Sequence, residues 1–445
     1  MIKNYIKVAL NVFRRNPFYT FISLFGISFT LMVLLLSTAF FQNELGANKP
    51  LTKKDRLLVI PTMGMKTWKV DVKETIDTTY VNGIVAYDTI KVETPIIGEH
   101  TNYSNSGVSL DFAKEKFQKM SSPELVSIFS VAGIETYPRG QRLAFGATYT
   151  DDVYWNILDF EFIEGKPYGI NEVENQARVI VISEPAAKEY FGQADSYLGK
   201  TLVWGTNSFE VVGVTRRVNT SLDGVSSDIF IPYTNMLAES LNYGWGYFGS
   251  MTVAILAPNK KSLTAISNEL RMIESTTELP VDNFDALEIY EKDISDIYAW
   301  GIIGDQSTRS GKKFLAIIFG ALFLFLLIPT LNLINLNVTR IMERSAEIGV
   351  RKAFGARTKD LMIQFLFENI IITAIGGVIG LALALVAMNA LNKAEVFENS
   401  YLAINPKIFA LSLFLILLFG LTSGLLPAWR MAKTQVAKAI KQSKI

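Results

Sequence analysis

Residues 21–41 read FISLFGISFTLMVLLLSTAFF and residues 314–339 read FLAIIFGALFLFLLIPTLNLINLNVT, and neither run contains a charged side chain. Each exceeds the roughly 20 residues that cross a hydrocarbon core of about 30 Å. A core helix of a soluble protein seldom stays uncharged for that length, because its far side meets water. Two more apolar stretches follow, from about Leu361 to Leu391, with Glu368 as an internal acid, and from Ile408 to Trp429. The pattern predicts a membrane protein with four transmembrane α-helices and a large α+β extracytoplasmic domain inserted between helices 1 and 2.

Composition narrows the function. Of 445 residues, 49% are hydrophobic and 19% charged, which excludes a disordered chain. Forty-three Lys and Arg against 42 Asp and Glu leave a net charge of +1, so no nucleic-acid partner is expected. Without cysteine there is no disulfide and no zinc-thiolate site, and any exported part must rely on its own core. The single histidine, His100, makes neither a triad nor a metal cluster and reads as a loop residue. Asp151 and Asp152 are adjacent, so they diverge on a strand and read as solvated surface. The run ADSYLGKT, 194–201, matches a loose nucleotide-binding loop, but its GKT leads into the strand-like LVWGTNSFEVVGV where a true loop opens a helix. No catalytic residue, metal or cofactor is expected, and the chain is not read as an enzyme.

Basic residues set the orientation. Lys3, Lys7, Arg14 and Arg15 precede the first span with no acid, and Arg430, Lys433, Lys438, Lys441 and Lys444 follow the fourth. Arg340, Arg344, Arg351, Lys352, Arg357 and Lys359 join spans two and three, whereas only Lys393 and Lys407 join three and four. Both termini of this multi-pass chain are therefore expected in the cytoplasm, although Arg309, Lys312 and Lys313 sit against the rule just outside span two. The first apolar run is longer than that of a signal peptide and its small-x-small site is weak, which favours retention. Ile2, Ile6, Ala9 and Phe13 lie on one helical line beside Lys3 and Lys7, as in an amphipathic helix resting on membrane lipids.

The expected order is an amphipathic helix over 1–16, helix 1 over 17–42, the outer domain over 43–312, helix 2 over 313–338 and a cytoplasmic loop over 339–360. Helix 3 over 361–391, a short outer loop over 392–406, helix 4 over 407–429 and a basic tail over 430–445 complete it. In the outer domain ARVIVIS (177–183), SFEVVGV (208–214), DIFIPY (228–233) and MTVAIL (251–256) read as strands. Its early part, 51–125, and late part, 251–300, are expected to pair, with a middle insertion forming a second subdomain.

The loop RIMERSAEIGVRKAFGA, 340–356, suits a short helix. Glu347 and Arg351 stand four apart, a favourable pair worth about 0.2–0.5 kcal/mol, and Gly355 suits the C-terminal cap. Ile341, Ile348, Val350 and Phe354 are apolar residues on a charged helix, able either to dock a cytoplasmic partner or to lie on the bilayer. In the third span Gly376, Gly377 and Gly380 include a GxxxG that permits close helix approach, within one subunit or across a dimer. Pro329 with Asn332 and Asn335 suggests a kink in the second span, and Glu368 lies about 12 Å along the helix from Asp360, near the interface.

EIGVRKAFGA (347–356), followed by QFLFENIIITAIGGVIGLALA and LLPAWRMAKTQVAKAIKQ, resembles the MacB/FtsX-like permease family of ABC transporters. The outer stretch ARVIVISEPAAKEYFGQADSYLGKTLVWGTNSFEVVGVTRRV with DIFIPY resembles that family's periplasmic domain. The resemblance implies a dimer with a second permease copy or a paralogue, and motion driven by a cytoplasmic ABC ATPase that binds the ATP. No nucleotide-binding domain is read in this chain, so the ATPase is expected as a separate subunit. By position in the family pattern, Glu343, Arg344, Glu347, Ile348, Gly349, Arg351, Lys352, Phe354, Gly355 and Ala356 would couple to it. The implied function is mechanotransmission for efflux of a drug, peptide or lipid-linked substrate, with a periplasmic adaptor and outer-membrane channel as open partners. The alternative is an FtsX-like regulator of a cell-wall hydrolase. A sensor kinase is excluded by the lack of a cytoplasmic histidine.

Overall fold

The computed structural model describes residues 14, 17–324, 327, 350–351, 354–394, 396, 401–404, 406, 409–410, 414 and 418, apart from 82–83, 219, 221, 244–245, 280–283 and 305–309. The chain divides into two compact units, Met1–Glu44 with Leu315–Ile445, and Leu45–Phe314. The expected amphipathic helix over 1–16 apart from Arg14, the Pro329, Asn332 and Asn335 positions, most of helix 4 and the basic tail lie outside the described residues.

Leu45–Phe314 is built on two sheets. In chain order the strands are β1 (Leu57–Ile60), β2 (Met63–Val81), β3 (Ile84–Val108), β4 (Leu125–Thr136), β5 (Leu143–Thr150), β6 (Phe162–Gly165), β7 (Val179–Ser183), β8 (Thr201–Trp204), β9 (Asn207–Thr215), β10 (Ile229–Pro232), β11 (Phe248–Gly249), β12 (Thr252–Leu256) and β13 (Ala286–Ile289). Nine of them form a mixed sheet in the order β1-β12-β4-β5-β10-β7-β9-β6 with β8 added on β9, and four form a second sheet, β11-β3-β2-β13. The β-branched runs expected as strands are β7, β9, β10 and β12. Early and late segments pair as expected, β1 with β12 and β2 with β13, both antiparallel. The middle strands do not form a separate subdomain. Instead β5 and β10 pair in parallel and extend the same sheet, because a wholly buried strand such as β10 needs neighbours on both edges. Helices α2 (Glu184–Phe191) and α3 (Leu263–Thr276) carry buried Ala186, Ala187, Ile266 and Leu270. Trp155 and Phe160 meet Phe230 edge-on at ring-centroid distances of 5.4 and 5.1 Å, which adds directional packing to the area buried.

β2 and β3 pair in register from Met63↔Ser106 to Val81↔Ile84, with irregularities around Trp68. The sequence between the last pair is Asn82-Gly83, the dipeptide most favoured in a two-residue hairpin connection.

Asp151 is not on the surface as expected. Its carboxylate is buried, accepting from Ser127 Oγ at 2.6 Å, Ile128 N at 2.9 Å and Tyr154 N at 3.0 Å. Those donors come from β4 and from the chain just after Asp151, a convergence that adjacency in sequence does not reveal. Burial pushes this carboxyl up from 3.8 to about 7, against the three hydrogen bonds and with help from Asp152. Between those values the folded chain keeps a proton that the unfolded chain has lost. The stability contribution is therefore full below the unfolded value and falls away as pH rises toward 7. Thermal unfolding across pH 4 to 7 is expected to show this decline, and Asp151→Asn to flatten it; an unchanged slope in the variant would refute the assignment.

In the other unit, α1 (Pro17–Leu45) and a long helix over Thr358–Lys393 carry spans Thr20–Leu45 and Met362–Lys393, both long and apolar enough to cross a membrane. These correspond to the first and third apolar stretches. Their shared core includes Ile27, Leu31, Leu35, Ile372, Ala384 and Met388. Another helix is described over 310–324 and starts before the expected boundary at 313.

Candidate functional site

Helix α4 (Ile294–Ile303) precedes the helix over 310–324, and α5 is the Thr358–Lys393 helix. In the loop before α5, Val350 and Arg351 are helical, and the turn that follows closes with Ala356 N donating to Arg351 O at 3.0 Å. Gly355 stands at φ +88°, with open space where a Cβ would be. Its dihedral, not crowding, demands glycine, and the bond from the residue after it back to Arg351 is that of a Schellman cap. The cap turns the chain toward α5 and leaves Phe354 88% exposed.

Arg351 does not reach outward. Its Nη1 donates to Gln364 Oε1 at 2.8 Å, and Gln364 Nε2 donates to Glu368 Oε1 at 3.0 Å. Gln364 and Glu368 lie one turn apart on α5, and both are buried. A carboxylate in an apolar helix is costly to bury unless polar partners meet it, and this chain of bonds ties the loop to the helix interior. The sequence reading noted Glu368 as an interfacial acid and missed Gln364. Their four-residue spacing was visible, but the Arg351 connection was not. Ala356 is half-buried, and Glu343, Arg344, Glu347, Ile348, Gly349 and Lys352 lie outside the described residues.

Further along α5, Gly376, Gly377 and Gly380 are buried. A Cβ on Gly376 would come within 2.7 Å of Ile27 Cγ2, and one on Gly380 within 2.7 Å of the Ser28 carbonyl oxygen. Ser28 Oγ donates to Gly376 O at 2.9 Å. The small residues thus admit α1 of the same chain, and the hydroxyl adds a bond where lipid supplies no hydrophobic drive.

A third connection lies within Leu45–Phe314. Asp293 caps α4, its side chain accepting from Asp296 N at 2.8 Å while Asp296 Oδ2 accepts from Asp293 N at 3.1 Å. The other oxygen, Asp296 Oδ1, accepts from Gly311 N at 2.6 Å. Asp296 therefore satisfies amides at the starts of two helices, favourably placed at their positive ends. Nothing in local sequence signals that Gly311 would meet α4.

The remaining sequence candidates are structural. Thr201 of the GKT opens β8, not a helix, and Lys200 Nζ sits 5.6 and 5.3 Å from the ring centroids of Phe191 and Tyr197. His100 lies exposed on β3, not in a loop, with its ring 5.7 Å from that of Tyr103. Among the described residues no group of three or more His, Cys, Asp or Glu could hold a metal.

The chain matches the MacB-like periplasmic core domain over residues 20–273 and the FtsX-like permease C-terminal domain over 319–436. It is 26% identical over 292 residues to a macrolide export ATP-binding/permease protein MacB of Vibrio parahaemolyticus serotype O3:K6, covering 64% of this chain and 41% of that protein. Identity to the corresponding Escherichia coli K12 protein is 23% over 295 residues, 64% of this chain and 42% of that one. The chain spans about two-fifths of the length of these curated relatives. Among solved structures, the periplasmic region of MacB from Actinobacillus actinomycetemcomitans aligns with a TM-score of 0.33 at 15% identity, over 56% of this chain and 94% of that one. With a periplasmic core match covering more than half its residues and a permease match following it in sequence, this chain belongs to the MacB/FtsX-like permease family of ABC transporters.

Proposed function

We propose that the chain is a permease subunit that transmits the ATP-driven motion of a separate cytoplasmic ABC ATPase to its extracytoplasmic unit, for efflux of a drug, peptide or lipid-linked substrate. The observation that carries this reading is the bonded series Arg351, Gln364, Glu368. A push on the loop is delivered into α5 through short directional bonds, and α5 is packed on α1 through its glycines. In this reading residues 339–360 face the ATPase, both termini are cytoplasmic, four helices cross the inner membrane, and a second permease completes the assembly. ATP is bound by the partner, and the chain has no catalytic residue of its own. Export is favoured over hydrolase regulation by the macrolide export names of its relatives.

The test is to reconstitute the chain with its ATPase in lipid discs and measure hydrolysis and complex formation. Arg351→Glu and Glu347→Lys are expected to lower coupled hydrolysis about tenfold, the scale of a lost charge-assisted hydrogen bond. Gln364→Leu, which breaks the series without touching the loop, is expected to lower it while the complex still forms. Wild-type hydrolysis in all three would dispose of the assigned loop.

A further inference from the structure

The β2–β3 hairpin extends well beyond the strands that flank it. β13 pairs β2 only from Met63 to Lys66, and β11 pairs β3 only at Gly107 and Val108. Asp285 N donates to Lys66 O and Trp68 N donates to Asp285 Oδ2, both at 2.8 Å, so the even-numbered residues of β2 present their backbone groups to its outer edge. Past Trp68, no strand pairs with that edge among the described residues. Every side chain from Lys69 to Ile76 is exposed, including Val72 at 46% and Ile76 at 66%, and Ile90 and Val92 are exposed on the opposite face. A two-stranded ribbon with apolar groups on both faces is marginal by itself, and an unguarded edge is a template for another strand.

The two edges differ. Pro95 pairs opposite Val70, which places it at an outward position of β3, where it offers no N–H. Proline there blunts the β3 edge. The β2 edge has no proline.

We propose that β2 pairs antiparallel with β2 of a second copy of this chain about a twofold axis at Val72, making a four-stranded sheet from two hairpins. The charges favour a second copy as the occupant, and together with the apolar Val72 pair they choose the register. With the axis at Val72, Asp71 of each copy faces Lys73 of the other, twice over by symmetry, and Val72 faces Val72, while Trp68, whose amide is held by Asp285, stays outside the pairing. Within one copy Lys73 and Asp71 are 3.7 Å apart and well exposed, leaving both carboxylate and ammonium accessible to a second pair. Moving the axis to Asp71 sets Asp71 against Asp71 and Lys69 against Lys73. An axis at Lys73 opposes the two Lys73 side chains, and one at Glu74 opposes both Glu74 with Glu74 and Asp71 with Asp77. An axis at Val70 would need the edge at Lys66 and Trp68, which β13 and Asp285 already occupy. Of the axes from Val70 to Glu74, Val72 alone combines opposite charges with an open edge; an axis at Thr75 would also oppose Lys73 and Asp77 but sets Val72 against Thr78 in place of the apolar Val72 pair. This pairing rests on the reading that the permease works as a pair, and it specifies that the partner is identical and how the outer hairpins meet.

The chain has no cysteine, so single-cysteine variants report directly. Directly opposed residues of a hydrogen-bonded pair have Cα atoms about 5.5 Å apart, within disulfide range. In the full chain in lipid discs, Val72→Cys is expected to oxidise to a homodimer about tenfold more than Lys91→Cys, which sits on the far edge. Adding Asp71→Lys to Val72→Cys should cut the yield about tenfold by opposing like charges at two symmetric sites. Adding Lys73→Asp as well should restore it. A dimer by mass whose Val72→Cys crosslinks no better than Lys91→Cys overturns the hairpin pairing and leaves the paired permease standing. A monomer overturns both, and failure of the charge swap to restore crosslinking overturns the register.

Discussion

Gly380→Ala is expected to loosen the α1–α5 pair and destabilise the detergent-solubilised chain by about 2–3 kcal/mol, the scale of an overpacked core. The added methyl would sit 2.7 Å from the Ser28 carbonyl oxygen and 2.9 Å from Leu31 Cβ. The carbonyl is backbone, so relief requires one helix to move away from the other. That motion also stretches the Ser28 Oγ to Gly376 O bond. Gly376→Ala should do less damage, because its methyl meets Ile27, a side chain. Gly26 on α1 has open space around its Cβ position, so Gly26→Ala is the control and should be neutral or slightly stabilising. Thermal aggregation curves separate the three. Equal behaviour of Gly26→Ala and Gly380→Ala would contradict the close approach of the two helices.

Gly311→Ala is expected to detach the start of the 310–324 helix from α4. Its Cβ would fall 2.2 Å from Ser295 Oγ and 2.7 Å from the Asp296 backbone nitrogen. Ser295 Oγ can rotate, since its hydrogen bond to Asp293 lies within the same turn, but the Asp296 nitrogen cannot. The Gly311 N to Asp296 Oδ1 bond is then lost, and a buried carboxylate oxygen is left without its amide. Lost packing and an unsatisfied acceptor together cost about 3 kcal/mol. Hydrogen exchange of amides in 294–303 of the full chain should accelerate about a hundredfold, while strands of the nine-stranded sheet stay protected. Coupled hydrolysis should fall as well if this connection carries the stroke. Unchanged exchange would contradict the close approach of Gly311 to α4, whereas fast exchange with normal coupling would leave the connection as a structural clasp only.

The two described membrane helices were legible because hydropathy over a span is a sum of local terms: any conformation of residues 21–41 must hide those side chains from water. β7, β9, β10 and β12 were legible for the related reason that β-branched runs bounded by turn residues favour extended backbone before any partner arrives. The hairpin was a missed opportunity, since Asn82-Gly83 lies between runs rich in Val, Ile and Thr and its signal is local. Asp151 was misread because a carboxylate beside another carboxylate looks solvated until the positions of Ser127 and Ile128, more than twenty residues earlier, are known.

By itself the amino-acid order determined that the chain enters a membrane, that its outer mass is an α+β unit closed by early and late segments, and that a capped basic loop precedes the third apolar stretch. Each of these follows from side-chain chemistry within a few turns of helix or a few residues of strand. Only the tertiary structure decided what the glycines of α5 accommodate, which amide Asp296 holds and where the Arg351 guanidinium is anchored. Those are meetings of groups from 13 to 348 residues apart. Such meetings depend on the packing angle and register of whole elements, quantities that no single stretch of sequence carries.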